Sequence, residues 1–260
     1  METNPLSIDD VAHRLASVPG VQAVALGGSR ATGEHRPDSD FDFAIYYRGH
    51  FDPDDIKALG WPGTISKIGG WGGGVMNGGA WLTVDGYHVD VHYRDLDEVE
   101  HHMAEAEQGR FAVERLPFYL AGIPTYVVVG ELALARVLVG SLPKPQYPTL
   151  LCEKAYAFWH ETALLHLAYA EGAYAAAGDI IGVAGAVARA IVEESHARLA
   201  ARGEWALNEK RIVKRALLDH LSVKLMNLEP EQVKLQSIIQ TVRNELNTPM
   251  DLADRTESRH

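Results

Sequence analysis

The chain has 260 residues, 47% of them hydrophobic, and a formal net charge of −11 from 35 acids against 24 bases. That length suffices for two modest domains with real cores, and no uninterrupted apolar run reaches membrane-spanning length. A lone cysteine, Cys152, excludes an intrachain disulfide, and the opening Met1-Glu2-Thr3-Asn4-Pro5 lacks the basic and apolar regions of a signal peptide, so a cytoplasmic setting is expected.

Ser7 reads as the cap of a short helix over 8–17, in which Val11, Leu15 and Val18 repeat at helical spacing. An apolar strand follows over 21–26, breaks at Gly27-Gly28-Ser29, and a second strand over 41–47 carries the segment Asp40-Phe41-Asp42-Phe43. On a strand, residues i and i+2 share a face about 6–7 Å apart, so Asp40 and Asp42 point together while Phe41 and Phe43 point into a core. Side-by-side carboxylates repel unless a cation lies between them, and hard oxygen ligands suit Mg²⁺. The glycines just upstream let bare backbone N–H groups approach an anion, and Ser29 adds a hydroxyl.

A short helix is expected over 53–57. The glycine-rich run 69–79 lacks a Gly-Lys-Ser/Thr ending, which argues against a Walker loop and for a mobile connection between strands. Trp71 and Trp81 offer rings on which a base or sugar could stack, although tryptophan beside such a loop more often covers a core edge. Over 81–93, Asp85-Gly86 reads as a hairpin turn. Beyond it Val89, Val91 and Tyr93 share one face, and His88, Asp90 and His92 the other. Asp90, between two valines, supplies a third carboxylate, whereas Asp85 is explained by its turn. His88 and His92 stand about 13–14 Å apart on one strand, too far to chelate one zinc ion. His92 is left to line a cleft and His88 to face solvent.

A polar helix is expected over 97–107, a strand over 126–129, a helix over 131–139 and a proline-stiffened linker over 141–148. Four helices follow, over 150–176, 180–201, 208–221 and 230–246, the last with Pro230 in its first turn and the second capped by Asp179. Lys210 and Lys214 then fall at i and i+4 on one helical face. Residues 1–149 hold 20 acids and 11 bases, a net of −9, and residues 150–260 hold 15 acids and 13 bases, a net of −2. An acidic first half argues against nucleic acid, whose affinity comes from lysine and arginine on phosphates.

Gly28-Ser29, ten intervening residues and then Asp40-Phe41-Asp42-Phe43 resemble the signature of the nucleotidyltransferase superfamily, typified by DNA polymerase beta and the antibiotic nucleotidyltransferases. The resemblance implies an α+β fold, with a small mixed β-sheet nucleotidyltransferase domain flanked by helices over 1–142, an all-α helical bundle over 149–247 and a flexible tail over 248–260. It implies Asp40, Asp42 and Asp90 as catalytic residues that hold two Mg²⁺ ions. Gly28, Ser29 and Arg30 would bind the nucleotide, with ATP the first candidate. The stretch 205–215 is similar to the Asn-x-x-Tyr/Trp-x-x-x-Lys stretch of antibiotic-modifying relatives, although the aromatic after Asn208 is missing. On that likeness Lys210 and Lys214 reach a triphosphate. Some relatives take a general base from the helical domain, for which Glu153, Glu161, Glu193, Glu194 and Asp179 are candidates, and Asp90 is the alternative.

The activity so implied moves a nucleoside monophosphate from a nucleoside triphosphate to a hydroxyl of a small acceptor, such as a cationic aminoglycoside-like compound. The alternatives are a protein AMP-transferase of the antitoxin type and a catalytically silent nucleotide-binding regulator. No nucleic acid or membrane partner is expected, and the oligomeric state is not written in the sequence.

Overall fold

A computed structural model describes residues 6–33, 35–36, 39–226 and 228–248, so most of the expected tail lies outside the described residues. The chain divides into two compact units, Met1–Ala104 with Thr125–Gln146, and Glu105–Pro124 with Tyr147–His260.

The first unit is built on helix α1 (Ile8–Ala16), whose cap Ser7 accepts the Asp10 N–H, and strand β1 (Val21–Leu26). A one-turn helix, α2 (Gly28–Thr32), leads to β2 (Phe41–Tyr47). A 3₁₀ helix, Pro53–Leu59, precedes β3 (Gly63–Ile65), β4 (Gly79–Val84) and β5 (Tyr87–Asp95), and α3 (Leu96–Glu107) follows. Asp85 and Gly86 both have positive φ, 51° and 85°, as the tight β4–β5 hairpin demands. The sheet runs β3-β4-β5-β2-β1 and closes on a later strand, β8 (Arg136–Val139). The β2–β5 pair is parallel and the other pairs are antiparallel, so the sheet is mixed.

Alternation decides which face of this sheet is dry. Val24, Leu26, Phe41, Phe43, Ile45, Leu82, Val84, Val89, Val91 and Tyr93 join Val11 and Leu15 of α1 in one buried core. The opposite face carries Asp42, Asp90, His92 and Arg94. The glycine-rich stretch before β4 is tied down rather than mobile. The Gly69 N–H donates to the Asn77 carbonyl, Asn77 Nδ2 donates to the Tyr47 hydroxyl at 2.7 Å, and Val75 is buried.

Two short strands, β6 (Val113–Glu114) and β7 (Ile123–Pro124), pair antiparallel in the second unit. Two expectations fail at the next element, which returns to the first unit. The β-branched run at 126–129 opens a helix, α4 (Val127–Leu134), and the expected helix over 131–139 ends at Leu134, after which Arg136–Val139 is β8. A short apolar run reads the same for a buried helix as for a strand. Here Val127 to Gly130 are all buried, and the helix formers Glu131 to Leu134 settle the local choice.

The second unit is helical: α5 (Thr149–Tyr169), a π-helical turn at Ala170–Ala175, α6 (Ile180–Ala201), α7 (Ile212–Arg215), α8 (Ser222–Met226) and α9 (Gln232–Leu246). Its core joins Ala163, Leu167, Val183, Val187, Leu218, Leu235, Ile239 and Val242. Asp179 caps α6 by accepting the Gly182 N–H at 2.9 Å. The helix expected over 208–221 is broken. Asn208 Oδ1 accepts the Lys210 N–H at 2.8 Å, and Arg211 and Leu217 adopt left-handed φ values of 58° and 59°, which confines α7 to four residues. Pro230 lies before Glu231, the N-cap of α9, rather than inside its first turn. No described helix is long and apolar enough to cross a membrane.

Candidate active site

At the end of β1 the Gly27 N–H donates to the Asp42 carbonyl at 2.7 Å, which fixes the loop against the start of β2. Gly28 has a φ of +60°, and a Cβ built there would overlap the Asp42 carboxylate, with Asp42 Cγ 2.7 Å away. The chain needs glycine here so that the Asp42 side chain can lie against a bare Cα. Gly28, Ser29 and Arg30 open α2, where backbone N–H groups have no intrahelical acceptor. The Ser29 hydroxyl makes no hydrogen bond to another described residue.

Arg30 is committed locally. Its guanidinium donates to the Ser39 carbonyl at 2.6 Å and the Asp40 carbonyl at 3.1 Å, and lies 3.7 Å over the Phe41 ring. It braces the residues that lead into β2, a role that neither composition nor spacing revealed.

The parallel register places Asp42 opposite Asp90, and the antiparallel register places Asp90 opposite Trp81. Paired residues on neighbouring strands share a face with the strands about 4.8 Å apart, so Asp42, Asp90 and Trp81 form a row across β2, β5 and β4. Asp42 and Asp90 are half-buried, whereas Asp40 precedes the strand and is exposed. Among the described residues no group of three or more His, Cys, Asp or Glu is gathered as a metal cage. The expected three-acid set of Asp40, Asp42 and Asp90 is therefore not preassembled. Register unites two of them, and Asp40 stands outside the ladder that would hold it there. The chemistry of the set, hard carboxylate oxygens on one sheet face, suits a divalent cation such as Mg²⁺.

Along β5 from Asp90, His92 and Arg94 follow on the same face. Arg94 is 3% exposed and forks onto Glu131 of α4, with Nε–Oε2 2.7 Å and Nη2–Oε1 2.9 Å. Burial pushes the Glu131 carboxyl up, but the Arg94 charge and hydrogen bonds outweigh it and hold Glu131 below its ordinary value. Arg94 also donates to His92 Nδ1 at 3.3 Å. Burial, with the Arg94 charge second, pushes His92 down to about 4, so the imidazole is neutral at physiological pH. Trp71 stacks on Trp81 with centroids 4.8 Å apart and meets His92 edge-on at 5.5 Å. The sequence reading missed Arg94 and Glu131. A charged residue at i+4 from Asp90, on the same strand face as Asp90 and His92, was the available signal. His88 is exposed, as expected.

Lys210 and Lys214 belong to the second unit and are both exposed. Lys210 precedes α7 and Lys214 lies within it, so they do not share a helical face. In the same unit the Glu209 carboxylate accepts the Leu120 and Ala121 N–H groups at 2.6 and 2.8 Å. The general-base candidates of this unit divide by environment. Glu193 and Glu194 are fully buried. Glu193 accepts from His166 Nδ1 at 2.7 Å and Arg189 Nε at 2.9 Å, and Glu194 from His160 Nδ1 at 2.7 Å and Arg198 Nε at 3.2 Å. Asp179 is occupied as a cap, and Glu153 and Glu161 are exposed.

Residues 8–72 match the model of the nucleotidyltransferase domain family. No curated protein matches the chain. A nucleotidyltransferase-like protein from Exiguobacterium sibiricum 255-15, solved by crystallography at 1.90 Å, is similar at 9% identity and a TM-score of 0.43, over 92% of this chain and 78% of that one.

Proposed function

We propose, from the match of residues 8–72 to the nucleotidyltransferase domain family, an enzyme that transfers a nucleoside monophosphate from a nucleoside triphosphate, ATP first, to a hydroxyl of a small acceptor. The observation that carries the reading is the in-register pair of Asp42 and Asp90 beside the Gly28-Ser29 loop. Asp40, Asp42 and Asp90 would hold the divalent cation. When bound, that cation neutralises triphosphate charge and lowers the pKa of the acceptor hydroxyl.

The chain's own residues do the rest. Backbone N–H groups of Gly28 and Ser29, with the Ser29 hydroxyl, hold the terminal phosphates. Arg30 positions Asp40 and Asp42 by clamping the carbonyls ahead of β2. Asp90 accepts the acceptor's proton as its oxygen bonds to the α-phosphorus and the bond to pyrophosphate breaks. Glu193 and Glu194 already serve histidine and arginine partners, which favours Asp90 as base.

The acidic balance of residues 1–149 supports a neutral or cationic acceptor over a nucleic acid. An aminoglycoside-like compound is the first one to test, and a role in antibiotic resistance would follow from it. The experiment combines purified protein, Mg²⁺ and each of the four nucleoside triphosphates with aminoglycosides, lincosamides and short RNAs. Pyrophosphate release and an acceptor heavier by one nucleotidyl group are the expected results. Labelled RNA with no small-molecule product would overturn the acceptor assignment, and no pyrophosphate with any pair would overturn the activity.

A further inference from the structure

The sheet order gives the acid face a direction. The Gly28-Ser29 loop ends β1, Asp42 stands on β2, Asp90 on β5 and Trp81 on β4, with β1, β2, β5 and β4 consecutive neighbours. On the nucleotidyl-transfer reading, phosphates lie at the β1 end, and the transfer point lies over the two carboxylates. The next surface along the row is then the indole of Trp81, on the far side of Asp90 from the phosphates.

That indole is built to be used. Trp81 leaves 49% of its surface exposed, although it stands in the interior of a paired strand, between Thr64 and Asp90. Its other face is backed by Trp71 at an interplanar angle of 28°. Trp71 in turn rests over Gly79, where a Cβ would run into the Trp71 ring and the Val91 carbonyl. His92 meets the edge of Trp71. Glycine, histidine and a second tryptophan thus back the Trp81 indole, whose strand position is paired with Asp90 and half of whose surface is open.

We propose that Trp81 is the specificity-determining residue for the acceptor, a stacking platform that selects a saturated, polyhydroxylated ring. The proposal rests on the nucleotidyl-transfer reading of the site. An indole face is electron-rich and prefers the polarised C–H groups of such a ring, and the neighbouring Asp90 carboxylate favours the ring's hydroxyl donors. The ring's hydroxyls donate to acids, so one hydroxyl can reach Asp90 while the C–H face lies on Trp81. An acyclic polyol has the same hydroxyls but no rigid face, and its chain must be ordered on binding.

The test uses the full chain with ATP, Mg²⁺ and four probes: methyl β-glucoside and myo-inositol as saturated rings, sorbitol as the acyclic polyol, and benzyl alcohol as an aromatic ring. Tryptophan emission is followed on titration, and transfer is followed by pyrophosphate release. The ring probes should change the emission of the wild type and of Trp81→Phe, but not of Trp81→Ala. Stacking on an aromatic side chain is worth enough that Trp81→Ala should raise the KM of a ring acceptor about tenfold or more. The ATP dissociation constant should stay within about twofold, and Trp81→Phe should recover most of the loss.

Four results would overturn the platform: an unchanged ring response in Trp81→Ala, sorbitol serving as well as myo-inositol, benzyl alcohol responding in place of the saturated rings, or the loss falling on ATP affinity. Failure of the transfer reading looks different. A Trp81-dependent ring response with no pyrophosphate from any probe would remove the reaction and leave the ring site standing.

Discussion

Gly28→Ala should unfold the chain more easily for a reason that lies in Asp42 rather than in any ligand. An L residue at φ +60° costs about 1–2 kcal/mol by itself. The new methyl would also occupy the space of the Asp42 carboxylate, whose Cγ lies 2.7 Å from it, and forcing that side chain aside adds about 1–2 kcal/mol. Asp42→Ala removes the carboxylate and leaves only the Asp42 Cβ, 3.1 Å from the added methyl. The Gly28→Ala cost in that background should fall to little more than the backbone component. Urea unfolding of the wild type, both single variants and the double variant measures the coupling, expected at about 1–2 kcal/mol. Costs that add to within about 0.5 kcal/mol would refute the close packing of Gly28 on Asp42. Gly28→Ala should also lose transfer activity, because the displaced carboxylate no longer faces Asp90.

Asp40→Asn, Asp42→Asn and Asp90→Asn should each abolish pyrophosphate release while the melting temperature stays near that of the wild type, and substantial activity in any one removes that residue from the site. Arg94→Met strands the Glu131 carboxylate and should destabilise by about 3 kcal/mol in chemical unfolding, with Arg94→Met/Glu131→Leu regaining most of it. His196, buried against Trp159 at 4.6 Å, has no hydrogen-bond partner among the described residues for either ring nitrogen, and burial, with Arg215 second, holds it down to about 3 against an ordinary 6.5. The unfolded chain therefore binds a proton that the folded chain refuses, so stability is full above about pH 6.5 and falls as the pH drops toward 3. Between pH 7.5 and 5 the wild type should lose about 2 kcal/mol more than His196→Phe, in which the other histidines and glutamates titrate equally and cancel.

The first half of the chain was legible because its signals are local. Alternation in 21–26, 41–47 and 87–95, the Asp-Gly turn and the Ser7 cap each involve residues within one turn or one hairpin. The errors arose where tertiary context decides. Val127 to Val129 prefer a strand by propensity but are buried as the first turn of α4, and Arg136–Val139 becomes a strand because β1 offers it an edge. The 208–221 segment has a helical composition, yet the Asn208 side chain captures a backbone N–H and two residues turn left-handed. At the candidate site the carboxylates were visible as residue types at fixed spacing. The packing of Gly28 on Asp42, the engagement of Arg30 with backbone carbonyls and the Arg94–Glu131 fork depend on which strands pair, and local spacing does not encode that.

The parallel pairing of β2 with β5 also sets the order in which the molecule comes together. The β4–β5 hairpin closes through two turn residues and belongs to events of about 1–10 μs. A parallel neighbour must instead be delivered by a long crossover, whose loop entropy is lost before the ladder rewards it. Asp42 and Asp90 therefore meet late, and each brings a carboxylate that the other repels. In pulse-labelled hydrogen exchange during refolding, amides of the β4–β5 hairpin should gain protection before those of the β2–β5 ladder. The acid pair is thus assembled only once the sheet's central ladder has formed.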